Sequence, residues 1–230
     1  MTKTHIDVVS PRNHLERCCL AVTSSAPHVS PASTTLRADP IQARSTKRLE
    51  DLLDAAARYI HDNGYETLTT NHVSALSGSS IGTVYRYFPD RIALLDALIM
   101  RNLERTKTHT INAFRSSTPA SLEDAIDGLV EVMVQMFRQE PGFRSIRLGD
   151  SLDIRPARPE RWGNRALAKL SADELSQLWG AREQSHEVVI EHAIDAADAF
   201  LTKAFLADDS GNPKTIVVAQ TLAKATVSLV

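Results

Sequence analysis

The chain is expected to be all-α: an N-terminal three-helix helix-turn-helix domain followed by a larger helical bundle, about nine helices in all. Three observations predict this. Apolar residues recur at helical rather than alternating spacing along most of the chain. Alanine and leucine abound while aromatics make up only 5% of the 230 residues, a balance that favours helix. Two short helical segments also meet at Gly78, and the second carries the stretch SSIGTVYRYFPDR, Ser79 to Arg91. That stretch holds hydroxyls and guanidinium groups where a purely structural helix needs neither. They suit phosphate oxygens and base edges.

Residues 1–43 mix Ser, Thr and His with Pro11, Pro27, Pro31 and Pro40 and show no sustained period, so a disordered extension is expected there. Order is expected from about Arg44. Leu49, Leu52, Leu53, Ala56 and Ile60 form the apolar stripe of a first helix, which Asn63-Gly64 ends. Thr69 can cap a second, short helix that packs through Val73 and Leu76, and Gly78 breaks it. A third covers about Ser80 to Tyr87 and stops at Pro89-Asp90. A fourth runs from Arg91 with Ile92, Leu95, Leu98, Ile99 and Leu103 on one side.

Past Thr118-Pro119 the helices lengthen. Leu122, Ile126, Leu129, Val130, Met133, Val134 and Phe137 form a broad stripe that Pro141-Gly142 breaks. A shorter helix is expected over about 143–152, then a loop through 153–161. Further helices are expected over about 160–179 and 182–207, a turn at DDSGNP, and a last helix from Pro213 towards Val230. The domain boundaries expected are therefore 1–43, 44–90 and 91–230.

Net charge is −2, from 26 basic and 28 acidic residues, so the chain is no polycation. Any anion-binding surface must be built locally from positioned side chains. The two cysteines, Cys18 and Cys19, are adjacent, which suits neither a disulfide framework nor a metal site. No run of roughly 18 apolar residues exists to span a membrane. Charge interrupts the only apolar stretch near the start, so no secretory signal is expected and the cytoplasm is the expected compartment.

A helix, a glycine-containing turn and a second short helix make the helix-turn-helix plan, whose second helix enters the major groove of DNA. With Ile81 or Val84 and Phe88 packed inward, Ser80, Thr83, Arg86 and Tyr87 are left free for DNA. From Leu52 to Ile99 the chain closely resembles the N-terminal domain of the tetracycline-repressor (TetR) family of bacterial transcription regulators. The residues that carry the resemblance are the Ala-rich first helix ending in Asn63-Gly64-Tyr65, then Leu68-Thr69, Gly78, Ser80, Gly82-Thr83-Val84-Tyr85, Tyr87-Phe88 and Arg91. Ser74, Ser77 and Ser79 depart from it by making the turn more polar.

The resemblance implies that Thr69 and Asn71 touch phosphate, and that Ser80, Ile81, Thr83, Arg86 and Tyr87 face the groove. It also implies that Tyr85 bonds phosphate through its hydroxyl and that Arg91 clamps another. Arg44, Lys47 and Arg48 open the first helix and are placed to reach flanking backbone or minor groove. Beyond Ile99 the resemblance is one of architecture. It implies a body that binds a small effector, largely apolar, and forms a homodimer through the last two helices. Met100, Leu103, Phe114, Met133, Met136, Phe137, Phe143, Ile146 and Trp179 are the candidate pocket lining; Met and aromatic side chains suit adaptable apolar sites, although such stripes are more often plain core. Arg144, Arg147, Arg155, Arg158, Arg161 and Arg165 form an Arg-rich region in which Asp150 and Asp153 can pair with several.

The function expected is a sequence-specific DNA-binding regulator, a repressor released from a palindromic operator by its effector, with no cofactor or metal and no membrane partner. The alternatives are a helical enzyme or a helical protein-interaction adaptor. His186 and His192 stand six residues apart, about 120° around a helix, which fits no shared metal site. No glycine-rich phosphate loop or nucleophile elbow is present.

Overall fold

The computed structural model of the chain describes residues 40–146, 163–180, 186–206 and 208–229, with side chains from Arg44. Nine α-helices and no strands form among the described residues.

α1 (Pro40–Asn63) opens four residues ahead of the expected start. Proline fits the first turn of a helix because the amide it lacks would go unbonded there. Gly64, at φ +79°, ends α1 in the left-handed conformation. α2 (Thr70–Ser77) is capped by Thr69, whose hydroxyl accepts from the His72 amide at 3.2 Å. Gly78 terminates it at φ +64°. α3 (Ile81–Tyr87) is capped by Ser80, and α4 (Arg91–Ser116) by Asp90, which accepts from the Ala93 amide at 2.8 Å. These four helices bury Leu52, Ile60, Leu68, Val73, Val84, Phe88, Leu95 and Leu98 in one core, the head. Two expected core residues are outside it. Leu76 is 51% exposed and Ile92 is 55% exposed. Leu76 lies in the last turn of the short α2 and Ile92 in the first turn of α4, where the neighbouring described helices leave them uncovered.

α4 continues into the body, formed with α5 (Leu122–Gln139), α6 (Phe143–Ile146), α7 (Gly163–Trp179), α8 (Glu187–Ala204) and α9 (Pro213–Ala225). A 3₁₀ turn, Thr226–Leu229, closes the described chain. The outer parts of the helices expected over 143–152 and 182–207 lie outside the described residues, as do Arg147, Asp150, Asp153, Arg155, Arg158 and Arg161. A second core collects Leu129, Met133, Phe137, Leu167, Leu175, Ile194, Leu201 and Ala219. Among the described residues, no helix is long and apolar enough to cross a membrane.

Two features join head to body. α6 sends Phe143 into the body core and Ile146 into the head core, though only three positions separate them. Its approach depends on Gly142, at φ +74°, where a Cβ would lie 2.9 Å from the Ala57 carbonyl oxygen of α1. A belt of ion pairs runs alongside. Arg101 meets Asp54 at 2.7 Å and Glu50 at 3.5 Å; Arg105 meets Glu140, just past α5, at 2.6 Å and Glu50 at 3.5 Å. The orientation of the head's first helix is therefore tied to the middle of α4 and the end of α5.

Candidate nucleic-acid interface

From Thr67 to Pro89 the chain carries no carboxylate, and these residues contain α2, the turn and α3. Around the turn, hydroxyls take the place of apolar packing. The Ser74 hydroxyl donates to the Ser79 carbonyl at 2.7 Å, and the Ser79 amide donates to the Ser77 hydroxyl at 3.3 Å. Arg48 of α1 donates to the Ser79 hydroxyl at 3.4 Å. The three serines that depart from the family pattern thus stitch the turn, because each finds a partner for the group it brings.

The side chains predicted for DNA divide by how they are held. Several are fixed by internal bonds. The Ser80 hydroxyl accepts from the Thr83 amide at 3.2 Å and bonds the Thr83 hydroxyl at 2.9 Å. The Tyr87 hydroxyl bonds the Ser45 hydroxyl at 3.1 Å, which ties α3 to the opening of α1. Tyr85, 52% exposed, accepts from the Thr70 hydroxyl at 3.4 Å, which ties α3 to α2. Arg91 donates to the Tyr65 carbonyl at 2.7 Å, so this guanidinium pins α4 to the corner between α1 and α2. Thr69 and Asn71 are exposed at the start of α2.

Others are unspent. Arg44, Lys47 and Arg86 are exposed and form no hydrogen bond or ion pair among the described residues. Arg86 lies 5.5 Å over the Tyr87 ring. Arg44, Ser45, Arg48, Thr83, Arg86 and Tyr87 together line an open concavity of about 540 Å3 between α1 and α3. Three guanidiniums and no carboxylate among its described lining give it the chemistry that suits anionic oxygens. Ile81, 37% exposed, is the apolar member of the outward face of α3. Ser45 is the residue of this surface that sequence reasoning missed. Its only signal was its place between Arg44 and Lys47, and its bond to Tyr87 spans 42 positions.

Most of the residues expected to line an effector pocket are buried. Leu103, Met133, Met136, Phe137 and Phe143 are buried in the body core, and Ile146 in the head core. Trp179 is half-buried, and its indole N–H donates to the Pro119 carbonyl at 2.8 Å. Two of the nine line open grooves among the described residues. Met100 lines a groove of about 410 Å3 between α4 and α7. Phe114 contributes to a groove of about 800 Å3 between α4 and α5.

A helix-turn-helix head with a carboxylate-free second helix, carried on an all-helical body, defines the class. Residues 52–98 match the family model for bacterial regulatory proteins of the tetR family, and residues 120–229 match the tetracyclin repressor-like C-terminal domain. The chain belongs to the TetR family. It is 33% identical over 91 residues to the nucleoid occlusion factor SlmA of Glaesserella parasuis, covering 40% of this chain and 44% of that one. It is also 33% identical over 75 residues to the HTH-type transcriptional repressor KstR of Rhodococcus jostii, covering 32% and 35%. These matches span less than half of the curated relatives' own length. Among solved structures, a TetR-family transcriptional regulator from Streptomyces coelicolor superimposes with a TM-score of 0.67 at 28% identity. That likeness covers 80% of this chain and 99% of that one. The transcriptional regulator FadR of Bacillus subtilis, solved with stearoyl-CoA, shares the fold at a TM-score of 0.57 and 15% identity, covering 79% and 98%.

Proposed function

We propose that the chain is a cytoplasmic transcription regulator that reads double-stranded DNA through α3 and acts as a repressor. The observation that carries this is a set of cations without a facing carboxylate around a carboxylate-free recognition helix. Arg44, Arg48 and Arg86 converge on one concavity, beside hydroxyls already fixed by internal bonds. Such an arrangement reads DNA in two ways. The fixed hydroxyls of Thr69, Thr83, Tyr85 and Tyr87, with Asn71 and the guanidinium of Arg48, position the helix on phosphates. The free end of Arg86 and the methyls of Ile81 reach base edges. The repressor named among the relatives supports repression over activation.

The DNA-reading unit is a dimer. Val188 on α8 and Val217, Val218 and Leu222 on α9 are 57%, 58%, 42% and 39% exposed, while Ile190, Ile194, Ala219 and Ala223 of the same helices are buried. A helix that is apolar on both its inner and outer faces fits packing against its own core and against a second copy. Two copies related by a two-fold axis place their α3 helices on the halves of a palindrome. Val217→Glu puts a charge in the centre of that face. It is expected to give a folded monomer by analytical ultracentrifugation that binds operator at least tenfold more weakly. A variant still dimeric at micromolar concentration would contradict this use of α8 and α9.

A small, largely apolar effector releases the repressor. The effector favours a second arrangement of the body, one in which the two recognition helices are wrongly spaced for the operator. It shifts the population by its differential affinity alone. α4 transmits the change, because it belongs to both cores and carries the Arg101 and Arg105 belt.

A further inference from the structure

Glycines in a fold usually answer to the chain itself, through a positive φ or a neighbour too close for a Cβ. Gly78 answers to the first reason, at φ +64°, and Gly142 to both. Gly82, in the first turn of α3, answers to neither. Its φ is not positive, and no atom of the protein lies within 4 Å of the place a Cβ would occupy. It is exposed, on a recognition helix only seven residues long. An alanine there would meet nothing within the chain and would favour the helix.

Its neighbours show what the bare surface faces. Gly82 and Arg86 are four positions apart and so share one stripe of α3. Arg86 is the long cationic side chain on that stripe without a hydrogen bond or ion pair among the described residues. Ile81 flanks the stripe with exposed methyls, and the Ser80 and Thr83 hydroxyls border it, bonded to each other. For the Arg86 guanidinium to make a bidentate contact with a guanine edge, the helix must sit deep in the major groove. One turn earlier on the same stripe, the helix surface then lies against the DNA.

We infer that Gly82 is a specificity-determining close-approach position: the recognition helix needs a surface without a side chain there so that bases of the operator can come into van der Waals contact with its backbone. This rests on the DNA-reading function proposed above and adds to it the point of closest contact. Arg86 on this stripe selects guanine, and Ile81 beside it selects the methyl group of thymine.

The test compares the full-length wild-type chain with Gly82→Ala and Gly82→Ser on two probes. One is the duplex most enriched by wild type from random sequence; the other is a scrambled duplex of equal length. The variants are expected to have a Tm no lower than wild type, at least tenfold weaker binding to the enriched duplex, and unchanged binding to the scrambled one. Non-specific binding uses phosphate contacts and does not require the helix to sit deep. Equal affinity of Gly82→Ala and wild type for the enriched duplex would overturn the inference alone. So would a lower Tm, since the glycine would then serve the fold. Failure of the wild-type chain to enrich any duplex would overturn the DNA-reading proposal and this inference with it.

Discussion

Arg86→Ala is expected to weaken binding to the selected operator by about 1–3 kcal/mol, roughly five- to 150-fold, and to relax the preference at one base pair of each half-site. The melting temperature is expected to stay that of wild type. The reason is the same in both cases. Arg86 is exposed, and among the described residues it has no hydrogen bond or ion pair to lose; the contact recorded for its guanidinium is with the Tyr87 ring, 5.5 Å away. Removing an exposed side chain with so little attached changes fold stability within about 0.5 kcal/mol. The guanidinium is therefore held in reserve for a partner. Arg91 makes a useful contrast. Its bond to the Tyr65 carbonyl holds α4 against the corner of α1 and α2, so Arg91→Ala loses part of the fold along with any phosphate contact. Binding titrations beside thermal melts separate the two cases. A melting temperature lowered by Arg86→Ala with binding intact would show that the residue serves the head's structure instead.

Phe137→Ala is expected to destabilise the body by about 3–5 kcal/mol, a large share of the roughly 5–15 kcal/mol that holds a typical domain together. Phe137 is 1% exposed and sits between two rings. Phe143 meets it edge-on with centroids 5.3 Å apart, and Phe205 stacks on it at 5.0 Å. Arg144 covers the outer side of Phe205 at 5.6 Å and pairs with Asp209, holding that carboxyl below the usual range; its Nε donates to the Phe137 carbonyl at 3.1 Å. The truncation thus opens a void where α5, α6 and the turn between α8 and α9 meet. Urea titration measures the loss. A cost below about 1 kcal/mol would mean that the Phe137 ring borders space the chain leaves open, which is the behaviour of a pocket wall.

The end of α1, both ends of α2 and the start of α4 were legible because each is set by local chemistry. Thr69 and Asp90 are side-chain caps, and Gly64 and Gly78 are left-handed stops, so a few neighbouring residues decide each end. The second helix of the turn was legible for a different reason. Its hydroxyls and Arg86, with Arg91 just beyond it, form an ordered set that resembles a family pattern. What stayed hidden depends on long-range contacts. Periodicity marks Phe137, Met133 and Met136 as inward-facing but cannot distinguish a packed interior from a pocket, since both require the same apolar stripe. Leu76 has the spacing of a core residue and lacks a neighbour to cover it. The partner of Arg105 lies 35 positions away at Glu140, and that of Tyr87 lies 42 positions away at Ser45. Residue order alone carries no signal for such pairs. The unspent state of Arg86 and the empty space beside Gly82 are likewise visible only once every other side chain has its place.

In the function proposed, the surface of α3, with Arg44 and Arg48 of α1, reads a DNA sequence. The measurement that tests it most directly is selection of binding sites from a random duplex library by the purified full-length chain. A palindrome whose half-sites are related by the two-fold axis of a dimer is expected to be enriched, with binding that falls steeply as salt is added. Recovery of unenriched sequence at low salt, with binding that depends on charge alone, would contradict it.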